Sequence, residues 1–460
     1  IFLFIITINI IYISPCLTTN NKYSIKALCS FGLTPGIKIL KKGVEPMKNK
    51  PNKYCKLLLP DYLPRFSCIT SQCEDICCIG FTVNIDEKTY KKYKKIKNPQ
   101  LKAKFEKTFA RNRSNPGPLK YARIRMDENR SCPFLTEDKL CGLQLQLGED
   151  YLSYICKFYP RTFYKINNLL EVSLTVSCPE AARLVLFNEE KIIFKEILVE
   201  KESYLAQGEV MAKKFRFSPE FNKFFNSIRF FLIEILQNRN YRIWERLIIL
   251  GSFFEHLQTY ADQKLYPEAP KLIDYFRQVM AAEKIKESLA DLQPQTTMQM
   301  ILLKLLADVR FFQGISNPRY FQYYTEFLKG INYESVEKEP EIGERYQESY
   351  QRYYQPYMEN KEYILENYLV NYVFRKLLPL GSGTLFDEYI ILVIHYALIK
   401  MHLIGLGAFY GNLNDELVLS LIQSFAKSVE HSSTYFVQVR ELIKKAELNT
   451  LGHMAVLIKN

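Results

Sequence analysis

The placement of cysteine constrains this chain more than any other feature. Eight of its eleven cysteines lie within one segment, and residues 179–460 contain none. Such clustering indicates a single site, for which disulfides, a metal centre or chance burial of small thiols are the competing explanations. Chance burial explains a cluster least well. The eight residues are Cys68, Cys73, Cys77, Cys78, Cys132, Cys141, Cys156 and Cys178.

The start of the chain bears on the choice between disulfides and metal. Residues 1–14 are apolar but lack a positively charged n-region, and they are too short for a membrane span of about 20 residues. At Met47 the sequence becomes rich in Lys and Asn, which is typical of a cytoplasmic N-terminus. We therefore expect translation to begin at Met47, residues 1–46 to be a leader outside the fold, and the protein to be cytoplasmic. Disulfide frameworks belong to secreted chains, so a metal centre is favoured.

The types of ligand available limit which metal centre the site can hold. None of the five histidines falls within the cysteine segment, so the site is expected to be all-thiolate, which suits zinc or an iron-sulfur cluster. Structural zinc sites use paired C-x2-C hooks, and the spacing Cys68-x4-Cys73-x3-Cys77-Cys78 contains none. A 4Fe-4S cluster is favoured, with zinc as the alternative. Such a cluster takes at most four cysteines, and the sequence does not select them.

Local patterns suggest how distant cysteines meet. Residues 169–178 alternate between apolar and polar side chains, which predicts a half-buried strand. Residues 163–166 form the other arm of a hairpin whose turn is Asn167-Asn168, and this hairpin would bring Cys156 and Cys178 together. A polar tetrapeptide between matched apolar residues predicts a similar loop joining Cys132 to Cys141.

Two further features lie around the adjacent pair Cys77-Cys78. Residues 81–85 are predicted to form a strand, after which Asp86 is the expected N-cap of a basic helix. Adjacent side chains diverge in most backbone conformations. At least one of the two thiols is therefore expected to pack in the core or to serve a second metal.

From about residue 185 the pattern is helical. Apolar residues recur every three or four positions after Ser218-Pro219, and residues 241–260 and 298–312 continue the theme. Residues 293–297 and 333–361 are predicted to be connectors. Residues 389–409 are apolar enough to suggest a membrane span, but they contain His395, Lys400 and His402, so a buried core helix is the better interpretation. The two histidines are interpreted as core residues, with cofactor contact as the alternative.

These patterns predict a mostly α protein. A small Cys-rich α+β module with short hairpins is expected over residues 47–185, followed by an α-helical domain over residues 186–460. The net charge of +13 is spread among aromatic and acidic residues, so a solvated helix face explains the lysine-rich stretch 88–107 better than nucleic-acid binding does. An acidic protein partner also fits this charge, and no membrane association is expected.

The cysteine motifs resemble a family of iron- or zinc-chelating proteins, and specifically its flagellin lysine-N-methylase branch. All eight cysteines are matched, and so is a segment of the helical half, which extends the resemblance over roughly residues 54–460. The matching motifs are CEDICCIGF at 73–81, CPFL at 132–135, LC at 140–141, Cys156-x2-Tyr-Pro160-Arg161, SCPEAAR at 177–183 and ENYLVNYVF at 366–374.

The resemblance implies a cytoplasmic enzyme that carries a 4Fe-4S cluster and transfers methyl groups from S-adenosylmethionine to flagellin lysines before export. Two features of other methyltransferases and of radical enzymes are missing from the sequence, namely a Gly-rich loop after a strand and the CxxxCxxC spacing. The cofactor's amino-carboxylate could bind an open iron, or a fully Cys-ligated cluster could brace the fold. The catalytic residues, the S-adenosylmethionine site and the oligomeric state are not indicated.

Two other functions remain open at this point. The first is a non-catalytic metal-binding or electron-transfer protein with a Cys-ligated centre, and the second is a basic adaptor with structural zinc. Methylation of lysine needs a neutral amine, so the methylase hypothesis also requires a base or a desolvating aromatic pocket. The sequence, with 32 tyrosines, does not single out that base.

Overall fold

A computed structural model describes residues 53–460 except for 115, 216–218, 283, 316 and 334–338. The leader over residues 1–46, the start at Met47 and the helix cap at Ser218 lie outside the described residues. Helices make up most of the described residues, and the strands lie in the N-terminal half. The predicted class, mostly α with a small α+β module, is confirmed.

A five-stranded sheet occupies the N-terminal half, with strand order β7-β1-β6-β5-β8. Strand β1 pairs in parallel with β6, and β5 in parallel with β8, while β7-β1 and β6-β5 are antiparallel. The central position belongs to β6. The strands are β1 (Tyr54–Pro60), β5 (Arg161–Ile166), β6 (Leu169–Leu174), β7 (Phe194–Glu200) and β8 (Lys213–Phe215).

The hairpin predicted around Asn167-Asn168 is confirmed. Ile166 pairs with Leu169 across the turn, and Asn167 takes a φ of 54°, a conformation that asparagine tolerates well. The prediction that this strand is half-buried is wrong. Glu171 on its polar face is only 1% exposed and forms two hydrogen bonds with Arg229, because helices cover that face as well.

A second, smaller sheet has the order β2-β4-β3 and carries two helices. The strand predicted over 81–85 is shorter than expected, since only Asn84–Ile85 pairs. Asp86 caps the following helix as predicted, because its Oδ1 accepts a 2.8 Å hydrogen bond from the Thr89 amide. The elements are β2 (Asn84–Ile85), α1 (Glu87–Lys94), α2 (Pro99–Thr108), β3 (Phe109–Arg111) and β4 (Ala122–Ile124).

Short helices connect the two sheets and follow the larger one. Their bounds are α3 (Gly142–Leu147), α4 (Tyr154–Phe158), α5 (Pro179–Leu186) and α6 (Tyr204–Gln207). Cys141 and Cys178 stand at the N-caps of α3 and α5. The cysteine segment therefore consists of loops whose ends are fixed by short regular elements.

Long helices form the C-terminal half. The segment 333–361, predicted to be a connector, is mostly helical, since α13 and α14 flank a π-helical turn at Tyr350–Tyr354. A second π-helical turn, Ala426–Glu430, follows α17. The helices are α7 (Pro219–Leu236), α8 (Ile243–Asp262), α9 (Ala269–Ala281), α10 (Lys284–Ala290), α11 (Thr296–Phe312), α12 (Pro318–Gly330), α13 (Glu339–Ser349), α14 (Gln355–Met358), α15 (Tyr363–Lys376), α16 (Leu385–Tyr410), α17 (Asp415–Phe425), α18 (Ser433–Lys445) and α19 (Leu451–Ile458).

Helix α16 is the central helix of this half. It is the one helix in the described ranges with the length and apolarity of a membrane span, and its apolar stretch is wholly buried inside the protein. His395 and His402 are fully buried, and each Nδ1 hydrogen-bonds the carbonyl four residues earlier. Desolvation lowers the pKa of His395 to about 3 and that of His402 to about 4, so both rings are neutral core residues.

Helix α15 joins the sheet to the helical half through buried polar side chains. The Asn371 amide accepts a hydrogen bond from Tyr62 and donates one to the carbonyl of Leu174, while Asn367 donates to the carbonyls of Leu186 and Asn188. One hydrophobic core runs through both parts. The division at residue 185 stays a prediction, and β7 and β8 beyond it belong to the sheet.

Candidate functional site

The loop that carries Cys68 to Cys78 is held against the C-terminal helices. The Asp75 carboxylate accepts hydrogen bonds of 2.6 Å from Lys427 Nζ and 2.7 Å from Gln423 Nε2. Arg319 reaches the same loop by donating to the carbonyl of Glu74. Charged groups on α12 and on the π-helical turn after α17, together with the neutral amide of Gln423 on α17, therefore position the cysteine loop.

The eight cysteines form two groups whose thiols influence one another's pKa, with one link between the groups, since Cys77 also raises the pKa of Cys73. Desolvation raises the pKa of Cys156, and the thiols of Cys141, Cys77 and Cys132 raise it further. Desolvation likewise raises the pKa of Cys178 to about 12, with contributions from Cys73 and Cys68. We call these groups the five-thiol set, Cys77, Cys78, Cys132, Cys141 and Cys156, and the three-thiol set, Cys68, Cys73 and Cys178.

The hairpin predicted between Cys156 and Cys178 exists, and the meeting of these two cysteines stays a prediction, since the thiols that raise the pKa of Cys156 are those of Cys141, Cys77 and Cys132. The amide of Tyr154, at the start of α4, donates to the Asp86 carboxylate and ties Cys156 to the smaller sheet. The loop predicted to join Cys132 and Cys141 does form, with Leu135 bridged to Cys141. Cys141 also contributes to the raised pKa of Cys132, after desolvation.

Cys77 and Cys78 do not diverge as predicted, because their thiols interact. A hydrogen bond from Cys78 and the ammonium of Lys427 together outweigh desolvation and lower the pKa of Cys77 to about 7. Cys78 in turn has a raised pKa through this hydrogen bond, its burial and the thiols of Cys132 and Cys156. Both residues thus belong to the five-thiol set.

The donor chemistry of both sets fits a thiolate-ligated centre. The nine described cysteines are free thiols, and Cys68, Cys77 and Cys156 are exposed. Among the described residues, however, no group of three or more His, Cys, Asp or Glu side chains is arranged to hold a metal ion. The two sets therefore match an all-cysteine site by residue type, and the spacing of the sulfur atoms does not form a finished coordination shell.

A chain of three hydrogen-bonding side chains lies next to the thiols. The Ser177 hydroxyl is 3.2 Å from the Tyr159 hydroxyl and 3.0 Å from His431 Nε2, and Thr175 stands 3.5 Å from the same nitrogen. The Phe81 ring contacts both Tyr159 and His431, with centroids 5.8 and 5.7 Å apart. This arrangement joins the CCIGF motif to the end of the π-helical turn.

The hydroxyl of Tyr159 lies between the two thiol sets. Desolvation raises its pKa, and the thiols of Cys178 and Cys77 raise it further. His431 is exposed at the other end of the chain, and its pKa is lowered by the surrounding protein and by the cations of Arg375 and Lys376. A neutral, accessible imidazole is thus hydrogen-bonded to Ser177 beside the thiols, where an unprotonated ring nitrogen can accept a hydrogen bond.

Sequence reasoning missed four of these residues. Tyr159 and Ser177 stand inside the cysteine motifs, at Cys156-x2-Tyr and Ser-Cys178, so a local signal existed. Lys427 and His431 lie about 250 residues further on, in a stretch whose pattern is that of an ordinary helix. Only the packing of the π-helical turn against the cysteine loop reveals them.

Known proteins were compared with the chain. Residues 229–457 match the family model described as FliB lysine N-methylase C-terminal domain. The "Lysine-N-methylase" of Salmonella typhimurium (strain LT2) is 23% identical over 386 residues, covering 81% of this chain and 92% of the relative. That of Salmonella choleraesuis (strain SC-B67) matches to the same extent. No solved structure matches the chain significantly.

A shorter relative extends the comparison to a protein named for the flagellum. The "Flagellar biosynthetic protein FliU" of Salmonella muenchen is 29% identical over 166 residues, which cover 35% of this chain and 93% of the relative. The family model over the helical half includes the ENYLVNYVF motif. The chain belongs to the FliB lysine-N-methylase family.

Proposed function

We propose that this protein is a lysine N-methyltransferase that uses S-adenosylmethionine, acts on flagellin, and carries a 4Fe-4S cluster on its cysteines. The family match supports lysine methylation, and the name of the shorter relative supports a flagellar substrate. The single observation that carries the proposal is the accessible, neutral His431 hydrogen-bonded to Ser177 beside the free thiols.

The chemistry requires a neutral amine. The lysine Nε lone pair forms a bond to the methyl carbon, the methyl–sulfur bond breaks, and its electron pair stays on the sulfur of the thioether that leaves. The amine must lose one proton to do this, because an ammonium has no lone pair. Its low pKa, about 3, keeps the imidazole of His431 neutral at pH 7 but makes it too weak a base to hold the proton of the amine. Its proposed role is therefore to accept a hydrogen bond from the amine and orient it, while the released proton passes to solvent.

Ser177 gives the acceptor a defined orientation. If the Nε2 hydrogen of His431 is donated to the Ser177 hydroxyl, Nδ1 presents its lone pair to the amine. The Phe81 ring stands edge-on to the imidazole and limits its rotation. Lys427 lies 5.2 Å from the centre of the same Phe81 ring and is paired with Asp75, so it fixes the loop on that side.

The five-thiol set is the proposed site of the cluster. It contains enough cysteines to supply the four ligands that a 4Fe-4S cluster takes, whereas the three-thiol set would leave one iron without a cysteine. When bound, such a cluster offers redox-active or Lewis-acidic iron beside the substrate. Tyr159, between the two sets, would orient groups that lie next to the iron and donate a hydrogen bond to them.

The test combines metal analysis with an activity assay. The protein is purified anaerobically, iron, sulfide and zinc are quantified, and flagellin is then incubated with the protein and S-adenosylmethionine. We expect iron and sulfide in equal amounts and mass increases of whole methyl units on flagellin lysines. Iron with sulfide but unmodified flagellin would leave a non-catalytic or electron-transfer protein, and zinc without sulfide would return the site to a structural role.

A further inference from the structure

Nearly all of the chain's net charge is concentrated on the smaller sheet and its two helices. Residues 84–125 contain fourteen Lys and Arg against three Asp and Glu, a net charge of +11, in a chain whose total is +13. The other residues are thus close to neutral as a group. The fourteen are Lys88, Lys91, Lys92, Lys94, Lys95, Lys97, Lys102, Lys104, Lys107, Arg111, Arg113, Lys120, Arg123 and Arg125.

These side chains face solvent, and all but one lack a salt bridge to a described acidic residue. Thirteen of the fourteen are exposed, and Lys92 is half-buried. Lys91 is the one member with a salt bridge to a described residue, a 2.8 Å contact with Glu87. Basic residues of the helical half are often paired, as Arg229 is with Glu171 and Arg277 with Glu234. We call the fourteen residues the basic face.

A rigid core supports the basic face. Tyr93, Phe105, Phe109 and Phe134 pack with ring centroids 4.8 to 5.8 Å apart beneath α1 and α2. The guanidinium of Arg111 lies 3.7 Å from the centre of the Tyr121 ring. Like charges held this close repel one another, so the cluster opposes folding unless a counter-charge approaches from outside.

The basic face and the five-thiol set share the same small core. Cys132 is buried in that core, and Cys78 and Cys141 pack against it. Lys104 on α2 lies 5.0 Å from the centre of the Phe134 ring, and Phe134 is buried in the same core as Cys132. A chain bound along α1 and α2 would therefore lie beside the proposed reaction centre.

We propose that the basic face is the docking surface for an acidic segment of the protein substrate, next to the lysines that are modified. This inference rests on the proposed function. Complementary charge at the rim of a site steers encounter and fixes register. Nucleic acid fits less well, since no large aromatic of residues 84–125 in the described part is exposed for base stacking.

The test reverses three charges on the basic face. The variant Lys94→Glu, Lys97→Glu, Lys102→Glu is compared with Lys223→Glu, Lys329→Glu, Lys445→Glu, which reverses three exposed lysines of the helical half. Binding of a fluorescent deca-glutamate peptide is measured by anisotropy at low ionic strength and again at about 0.5 M salt, where screening removes exposed charge effects. Equal thermal unfolding midpoints verify that both variants are folded.

We expect the basic-face variant to bind the peptide about tenfold more weakly at low salt or worse, while the control variant matches the unaltered protein. With flagellin, its KM should rise by a similar factor and its kcat should stay the same. Equal peptide binding by both variants would overturn the inference. Displacement of the peptide by a DNA duplex of equal charge, added at a concentration below that of the peptide, would also overturn the inference.

The peptide assay does not depend on catalysis, so the two hypotheses fail separately. If the unaltered protein binds deca-glutamate through the basic face but leaves flagellin unmethylated, the proposed function fails, and with it the identity of the docked partner. If flagellin is methylated with the same KM by the basic-face variant, the proposed function holds and the docking surface is wrong.

Discussion

The hydroxyl of Ser177 lies 3.0 Å from Nε2 of His431, although 254 residues separate them along the chain. One partner belongs to the cysteine motifs and the other follows the π-helical turn Ala426–Glu430. Their contact is what brings a neutral imidazole, able to accept a hydrogen bond, to the thiols.

Replacing His431 with Asn should lower kcat for flagellin methylation by about tenfold, because the amine would lose a positioned hydrogen-bond acceptor worth about 1.4 kcal/mol. The loss should persist as the pH rises toward the lysine pKa, because the free amine still donates this hydrogen bond. A pH profile of kcat between 7 and 10 measures this. The matched control is His256→Asn on the exposed surface of α8. Equal kcat values for the two variants would remove His431 from the reaction.

Replacing Cys156 with Ser should reduce the iron and sulfide content of anaerobically purified protein by at least about half, since a hard hydroxyl is a poor substitute for a thiolate ligand. Cys55→Ser is the control, because Cys55 is a free thiol on β1 outside both sets. Iron analysis and the visible absorption spectrum report the result. Full iron loading in Cys156→Ser, with depletion in Cys178→Ser instead, would move the cluster to the three-thiol set.

The buried ion pair between Glu171 and Arg229 makes a prediction about stability. Arg229→Met should lower the free energy of unfolding by about 3–5 kcal/mol, because the Glu171 carboxylate would remain buried without a partner. The double variant with Glu171→Leu should recover much of that loss. Urea unfolding of the two variants and the unaltered protein checks this, and equal stability of the single and double variants would contradict it.

Burial of Lys400 should make the free energy of unfolding depend on pH. Desolvation lowers its pKa to about 7, although Glu362 opposes the shift, and Tyr350, Tyr354 and Tyr396 surround the ammonium. In the unfolded chain the pKa is higher, so the unfolded state binds more protons and stability rises with pH from about 7 upward.

A variant without the Lys400 amine is the control for this pH dependence of stability. The difference in unfolding free energy between Lys400→Met and the unaltered protein should change by up to about 1.4 kcal/mol for each pH unit between 7 and 9. Taking the difference cancels the contribution of the tyrosines. Urea unfolding at pH 7, 8 and 9 measures it. Parallel curves would show that Lys400 stays charged in the folded protein.

Elements with local signals could be predicted from the sequence. The Asn167-Asn168 turn, the cap at Asp86 and the long apolar helix α16 each depend on residues close together in the chain. The polarity of Glu171 was misleading, because its partner Arg229 lies 58 residues away and makes burial of a charge possible. Strand exposure depends on what packs over the strand, and the strand's own pattern does not contain that information.

In the candidate site, too, the residues with local sequence signals could be predicted and those placed by tertiary packing could not. The cysteines and their flanking Tyr159 and Ser177 form recognisable motifs. Their division into two sets involves Asp86, which accepts a hydrogen bond from the Tyr154 amide and attaches α4, with Cys156, to the smaller sheet. Lys427 and His431 come from a helix with an ordinary apolar pattern, and only tertiary packing gives them a role.

The seven-residue pairing of β1 with β7 has a consequence for how this protein can be divided. A fragment ending near residue 185 would leave one long edge of β1 with unsatisfied amides and carbonyls, and an open edge of this kind recruits other chains. It would also lose Asn371 and Asn367, which bind the backbone on the other side of the sheet. The cysteine loops are consequently not expected to fold as an isolated fragment. They have to be expressed or engineered together with the strand and helices that complete their sheet.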